Sequence, residues 1–520
     1  MAEHIVEALR VEQTCEVRGD RAADGIVEVA KTERTTSIRL SRKALLVSLV
    51  EAKRFADVKS SMPILQTVML RLRNVAGDVL GTSRLEVAAT DLNMTYIDVV
   101  VAEATSKIEG VEVDLAKPLN AEPIAICLDA KKLHDVVKAL GGDEMTVEIV
   151  ERRGVNDETT KGKTKRTSYS TTTSALLCGK SKFKLTTLSG KDFPKLPSMD
   201  GLVWQTMPAS TLAELIEGVA FSMSQDTTRA HLNGILLESI WHGEDGGSKV
   251  VADKIRVVST DGHRLSKVDR PAAGFMLPFN GGVYDKTGVT SPKPVSILIP
   301  RDAVVELRRR CAKGVEAVDI AVKSGWLYCR EVVKTSRSVP ASLSTAVYIL
   351  RLADAQFPPY EQVIPRDCHR HAVVATKDLV DTLKRLMLVA SEKTHGMRLR
   401  FIETKGSATV LRIETDDAEG NKAEEDVDVA AGEFLSDYPK KTTSKAKGFS
   451  SAFNDDADTT QPLQPFIIGV NGEYVLQLLD KIETATTWIG MNNELDPLSF
   501  RPAQDEKPVG GDVFVVISFP

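Results

Sequence analysis

A chain of 520 residues with 42% hydrophobic and 27% charged residues is too long for one core, and its composition is neither disordered, collagenous nor membrane-like. A formal charge of −5 counts against a protein that grips nucleic acid over its whole surface, but not against one with a locally cationic face. Six dispersed cysteines without a CxxC pair support neither a zinc ribbon nor a thioredoxin-type site, and they suit a reduced, cytoplasmic protein.

The first residues, "MAEHIVEALRVEQ", lack a basic segment leading into an apolar run, so no signal peptide is expected. No apolar stretch approaches ~18 residues, so no membrane partner is expected. Helical periodicity then appears six times, over 41–58, 128–140, 208–221, 300–314, 375–393 and 470–482. Most of these segments open with Ser, Asp, Thr or Asn, residues that cap free amides at a helix start. Between them lie β-type runs such as "LQTVMLRLR", "LEVAATDL", "NGILLESI", "IRVVSTDG", "GMRLRFIET" and "TVLRIETDD". Few have the helical crossover that a parallel sheet needs, so antiparallel hairpins are expected.

The order helix, strands, helix, strands occurs three times, its first helices starting near 41, 210 and 376. So long a period marks a repeated domain rather than a solenoid unit. The expected organisation is α+β, with domains at 36–198, 199–368 and 369–520 after an N-terminal extension, 1–35, of no assigned role. Four stretches read as loops grafted onto this plan: 152–174, 241–249, 272–294 and 436–465. Their polar or Gly/Pro-rich composition cannot bury a core.

Counted over 41–58, 129–140, 210–219, 301–313, 376–393 and 471–483, the helical segments carry a net +3, leaving −8 for the rest. "ELRRRCAK" is the most cationic of them, with Arg308, Arg309, Arg310 and Lys313; Lys384 lies on another. Basic helix faces are commonly just solvated. Turned to one side, however, they would make a surface that attracts phosphate in a salt-dependent way.

"SALLCGKS" (174–181) falls short of a phosphate-binding loop, because Ser174 replaces the first glycine and a strand pattern follows where a helix must start. "CHRH" (368–371) has no second ligand pair and reads as a domain linker. No metal and no cofactor are expected. In "VVSTDGHRLSKVD" (257–269), Asp261-Gly262 between two β-type runs signals a hairpin turn. Asp261 and His263 have the chemistry of a base and its orienter, but no nucleophile motif accompanies them. Leu265 beside His263 and Arg264 suits a peptide-docking groove better.

"FSMSQDTTRAHLNGILLE" followed by "VVSTDGHRLSKVD" resembles the second domain of the bacterial β sliding clamp, the processivity subunit of DNA polymerase III. "KDFPKLP" (191–197) and "FPPYEQVIP" (357–365) resemble that family's two interdomain junctions, with lesser matches at "MPIL", "SEKTHGMRL" and "NGEYVLQLL". The resemblance implies three repeated domains, each two helices packed on antiparallel sheets, forming half of a head-to-tail dimeric ring. It implies a non-catalytic clamp that encircles duplex DNA without reading sequence and tethers the polymerase III catalytic subunit, the clamp loader and other clamp-binding-motif proteins. It places a peptide cleft at Leu232, Thr260, Gly262, His263, Arg264, Leu265, Pro358, Val363, Val515, Val516, Ile517 and Phe519. It places DNA contacts at Lys59 and Arg229, to which the helix charges add Arg308, Arg309 and Lys384. It places the homodimer interface at Phe183, Leu185, Leu388 and Val389. The family commonly carries bulky residues after the arginine where Ala230 and His231 stand here, and a methionine and an arginine where this chain ends in Phe519 and Pro520. A peptide-binding scaffold without DNA work, and an enzyme using Asp261 and His263, remain the competing classes.

Overall fold

The computed structural model describes residues 25–73, 83–108, 111–113, 124–160, 163–241, 252–275, 277, 296–311, 315–332, 346–365, 368, 370–404, 407–434 and 466–517. The chain forms two compact units, 1–92 with 96–195 and 93–95 with 196–520. Among the described residues a helix stands wherever the periodicity predicts one. These are α1 (Arg42–Phe55), α2 (Ala130–Ala139), α3 (Ala209–Glu217), α4 (Arg301–Arg310), α5 (Thr376–Leu386) and α6 (Gly472–Leu479).

Each helix follows directly on a strand. Ser41, Asp129 and Asn471 cap α1, α2 and α6 through their side chains. The residues before α3, α4 and α5 are Pro208, Pro300 and Ala375, which cap nothing, so the expectation of side-chain caps holds for only half. There the first helical amide is taken by a nearby carbonyl: Ala209 by Glu316, Arg301 by Asn233 and Thr376 by Ala485, at 2.9–3.1 Å. A buried amide needs a partner, and the neighbouring segment supplies it. On α1 the residues Leu45, Leu49, Ala52 and Phe55 recur every three or four positions and are buried. Each large one contributes about 1.5–3 kcal/mol by leaving water.

Three repeats share one strand plan. The strand after the first helix is Thr67–Arg73, Gly234–Trp241 or Gly396–Thr404. It pairs with the strand before the second helix (Ala125–Asp129, Ser296–Pro300 or Phe466–Asn471) and with the strand next in sequence (Ser83–Thr90, Ala252–Thr260 or Ser407–Asp416). The strand before the first helix (Gly25–Ser41, Gln205–Pro208 or Arg370–Ala375) pairs with the one after the second (Glu144–Thr160, Ala317–Lys323 or Thr486–Met491). All these pairings are antiparallel, and the two helices of each repeat pack together. In the second unit, repeats two and three share a sheet, because Arg264–Pro271 pairs with the last strand, Val513–Val516.

Residues 152–174 are not a grafted loop. Glu144–Thr160 and Lys163–Cys178 form one long hairpin, in register from Thr146↔Leu177 to Thr160↔Lys163. Its ladder satisfies the backbone, and threonine is a residue type that suits extended chain. On its other side Gly25–Arg34 pairs with Glu151–Thr159, so the first strand starts inside the segment expected to be an extension. The second insertion (from residue 242), most of the third and the fourth (to residue 465) lie outside the described residues. The third begins on buried Phe275 and Leu277, whose amide donates to Ser239 Oγ at 3.1 Å. The "CHRH" stretch is not a free linker either, since Arg370 and His371 open a strand and His371 stacks on Trp488 with ring centroids 5.9 Å apart.

The hairpin turn at Thr260 has a counterpart in the first repeat. Gly262 donates to Thr260 Oγ1 at 3.1 Å with φ +94°, and Leu92 donates to Thr90 Oγ1 at 3.0 Å with φ 76°. Glycine adopts this φ freely, whereas a leucine is strained there by roughly 1–2 kcal/mol. Leu92 is 44% exposed, so the covered part of its side chain offsets some of the strain. Leu92→Gly is therefore expected to stabilise the protein only slightly, by less than about 1 kcal/mol, after the extra chain entropy of glycine and the lost burial are subtracted. A denaturation midpoint that falls would show that the leucine side chain contributes more than it strains.

Candidate functional site

The turn expected to border a cleft is organised by its own side chains. Asp261 Oδ1 accepts from the His263 and Arg264 amides at 2.9 and 3.0 Å, and its Oδ2 accepts from Arg264 Nε at 3.0 Å. Thr260 Oγ1 donates to the Arg264 carbonyl at 2.6 Å. Asp261 is thus engaged in shaping the turn and holding Arg264, which is not the situation of a general base. Strand pairing sets the last strand beside this turn, with Arg264 opposite Val516 and Leu265 opposite Val515, and the Ile517 amide donates to the His263 carbonyl at 2.9 Å.

The expected cleft residues separate into a floor and a rim. Leu265 and Val515 are buried in one cluster with Leu236, Val258, Leu298, Phe357, Tyr360 and Val513. Val516, Leu232 and Thr260 are also buried. Gly262, His263, Val363 and Ile517 are exposed and Pro358 is half-buried. Phe519 lies outside the described residues. Apolar side chains on such a rim, over a packed floor, gain by covering one another from water when a partner supplies an apolar anchor.

Arg264, expected on the cleft wall, is engaged within the protein. Its side chain is 11% exposed. Besides Asp261 it donates to the Phe221 carbonyl at 2.7 Å and to Gln477 Oε1 on α6. Its guanidinium lies over Tyr474 of α6, 4.4 Å from the ring centroid, and over Phe221 at 5.4 Å. His263 stacks on the same Tyr474, at 6.5 Å. The pair fastens repeat two to the last helix of repeat three. Tyr474, Gln477 and Phe221 are not among the expected cleft residues, although Phe221 opens "FSMSQDTTRAHLNGILLE" and Tyr474 and Gln477 stand three apart in "NGEYVLQLL", on one face of a helix.

A second network ties the junction 357–365 to repeat two. Arg256 donates to both carboxylate oxygens of Asp269 at 2.8 and 2.9 Å and to Tyr360 Oη at 3.3 Å, and Tyr360 donates to Glu238 at 2.6 Å. Burial raises the Glu238 carboxyl above its ordinary range, more than the Tyr360 hydroxyl and Arg256 lower it.

The cations proposed for phosphate differ in what already holds them. Lys59 and Lys384 are exposed and have no acidic partner among the described residues. Arg229 pairs with Asp226 at 3.4 Å, and Arg308 of α4 pairs with Glu217 of α3. Arg309 is exposed on α4, while Arg310, expected in the same cationic run, is buried with Glu306 and Glu331 and donates to Tyr348 Oη at 2.7 Å. Lys313 lies outside the described residues. Of the dimer residues, Phe183 is 42% exposed on Ser181–Leu185, the last strand of its sheet, with Leu185 half-buried beside it. Leu388 is 86% exposed just beyond α5, and Val389 follows it half-buried. Among the described residues no three His, Cys, Asp or Glu side chains gather as metal ligands, and no helix is long and apolar enough to cross a membrane.

Three consecutive domains of the DNA polymerase III beta subunit match this chain: the N-terminal domain at 36–197, the central domain at 206–273 and the C-terminal domain at 361–435. The Beta sliding clamp of Escherichia coli K12 is 27% identical over 352 residues, covering 68% of this chain and 76% of the relative. That of Pseudomonas aeruginosa is 26% identical over 390 residues, covering 75% and 83%. The crystal structure of a P. aeruginosa sliding clamp bound to griselimycin superposes with a TM-score of 0.59 at 23% identity, over 93% of this chain and 99% of that one. The Thermotoga maritima DNA polymerase III beta subunit superposes with a TM-score of 0.58 at 16% identity, over 93% and 99%. These superpositions carry the fold: two helices on antiparallel sheets, three times over.

Proposed function

We infer that this chain, which belongs to the DNA polymerase III beta subunit family of bacterial sliding clamps, is a DNA clamp, a non-catalytic processivity factor of DNA polymerase III. The observation that carries this is the threefold plan, matched domain by domain and in order to that family. The modules are taken as 36–198, 199–368 and 369–520.

The junction between repeats two and three suggests how a second copy adds on. There the strand after the turn, Arg264–Pro271, pairs with the last strand of the next repeat, Val513–Val516. The strand in the position of Arg264–Pro271 in repeat three is Lys422–Phe434, which pairs with Ser407–Asp416 along residues 422–428 and with Arg370–Ala375 only from Val429 on. The strand in the position of Val513–Val516 in repeat one is the edge strand Ser181–Leu185. Joining that edge of one copy to residues 422–428 of another repeats the internal junction and sets Lys182 and Lys184 near Glu424 and Asp426. Done twice, it closes a two-fold ring without leaving an open edge. Phe183, Leu185, Leu388 and Val389 would be covered there.

Duplex passing through such a ring is retained by topology, so its lining needs only weak, sequence-independent phosphate contacts. Lys59, Arg229, Arg308, Arg309 and Lys384 are proposed for these. The acidic remainder of the body keeps the outside off DNA. The cleft over Leu265 and Val515, rimmed by Pro358, Val363, Ile517, Gly262 and His263, is proposed to take a short apolar peptide. The polymerase catalytic subunit, the clamp loader and other clamp-binding proteins would each present one, in the cytoplasm.

Retention on DNA tests this. Loaded by its partner on a nicked circle, the protein is expected to stay with the circle through gel filtration and to run off once the circle is linearised. Equal loss from circle and linear duplex would end the clamp reading.

A further inference from the structure

Two of the cations proposed to face DNA are already held by acids of the same chain. Asp226 is held by its own turn: its Oδ1 accepts from the Thr228 amide at 2.9 Å and from the Thr228 hydroxyl at 2.6 Å. Those hydrogen bonds hold its carboxyl below the usual carboxylate range, so it stays ionised. Its other oxygen, Oδ2, faces Arg229 Nε at 3.4 Å. Glu217, at the last turn of α3, pairs with Arg308, in the last turn of α4. Both pairs are open to solvent, Arg229 and Asp226 at 55% and 47%, Arg308 and Glu217 at 56% and 40%. Exposed ion pairs are weak, and a phosphate can displace the acid at little cost.

We propose that Asp226 and Glu217 are tethered counter-ions that compete with DNA phosphate for Arg229 and Arg308 and so set how lightly the ring holds its duplex. This rests on the reading of those two arginines as phosphate contacts. When such an arginine turns to a phosphate, the acid it leaves takes up a cation from solution, which offsets the one the phosphate releases. A paired arginine therefore adds less affinity and less salt dependence than an unpaired one, which suits a ring that must slide. Lys59 and Lys384, which have no such acids among the described residues, would supply the more salt-sensitive part of the grip.

The test uses the full-length dimer and a fluorescent duplex, with anisotropy titrated across salt concentration. Asp226→Asn keeps an oxygen for the Thr228 cap, and Glu217→Gln keeps the helix, so each removes charge alone. Each is expected to tighten binding up to about fivefold at low salt, as an exposed pair allows. Each is expected to steepen the slope of log K against log salt by up to about 0.9. Glu414→Gln, which removes an acid paired to Arg400 on a sheet strand, serves as the control for overall charge and should change neither. If Asp226→Asn and Glu217→Gln match the unmodified protein while Arg229→Ala and Arg308→Ala weaken binding, the counter-ion role is wrong and the phosphate contacts stand. If Glu414→Gln gains as much as the other two, net charge explains the effect and the proposal falls. If the two arginine variants bind DNA unchanged, the contact reading falls and takes the proposal with it.

Discussion

Arg264→Leu is expected to destabilise the junction of repeats two and three by about 3–5 kcal/mol and to weaken peptide binding roughly tenfold. The guanidinium joins three partners: Oδ2 of Asp261, the Phe221 carbonyl and Gln477 on α6. A hydrogen bond to a charged group contributes about 1.5–3 kcal/mol, and removing one partner of a nearly buried set leaves the others uncompensated. The stacking on Tyr474 and Phe221 is lost as well. Peptide affinity falls because the His263–Arg264 turn, beside which Val515 and Val516 pair, loses its anchor to α6. Arg264→Lys keeps the charge but not the planar fork, so it should recover less than half of either loss. Denaturant titration and a fluorescent peptide titration report the two effects separately. Weakened peptide binding with unchanged stability would instead mean that Arg264 touches the peptide itself, as the family resemblance alone implies.

Much of the architecture was readable from the chain. The six helices announce themselves because one face of each must be apolar, as with Leu45, Leu49, Ala52 and Phe55. The threefold plan was visible because the same face recurs after each long interval. Where sequence and structure differ, the reason is physical. Residues 152–174 carry no apolar alternation, so their composition reads as a loop, whereas the strand pairing that orders them is a backbone ladder indifferent to side-chain polarity. The first strand, which starts at Gly25, does open on β-type residues, "IVEVA" (26–30), but its register shifts between Glu28 and Ala30. At the cleft, motif resemblance named the wall residues but could not say which are floor and which are rim, because that depends on pairing across 250 positions, Leu265 with Val515. Nor did it show that Arg264 is engaged by α6, or that Arg310 is buried beside exposed Arg308 and Arg309 in one helical turn. Charge type is written in the sequence; its neutralisation by Glu217, Asp226 or Glu331 is a property of the fold.

The largest effect is expected at the edge strand of the first repeat. Phe183→Asp should turn the dimer into a monomer in sedimentation at micromolar concentration and abolish retention on circular DNA. The two-fold arrangement proposed above would place the same residue at both junctions of the ring, so each substitution would act twice. Covering a phenylalanine gains about 1.5–3 kcal/mol, and a buried unpaired carboxylate costs several more. Summed over two junctions, this is at least about 6 kcal/mol, a rise in the dissociation constant of roughly 10⁴-fold or more. The monomer itself should melt as before, because Phe183 is 42% exposed within its own chain and the strand Ser181–Leu185 keeps its ladder to Ser174–Cys178. Leu388→Asp, at a residue 86% exposed beyond α5, should act in the same direction from the opposite end of the chain. A Phe183→Asp protein that still sediments as a dimer would place the subunit junction elsewhere, and the pairing of Ser181–Leu185 with residues 422–428 would have to be abandoned with it.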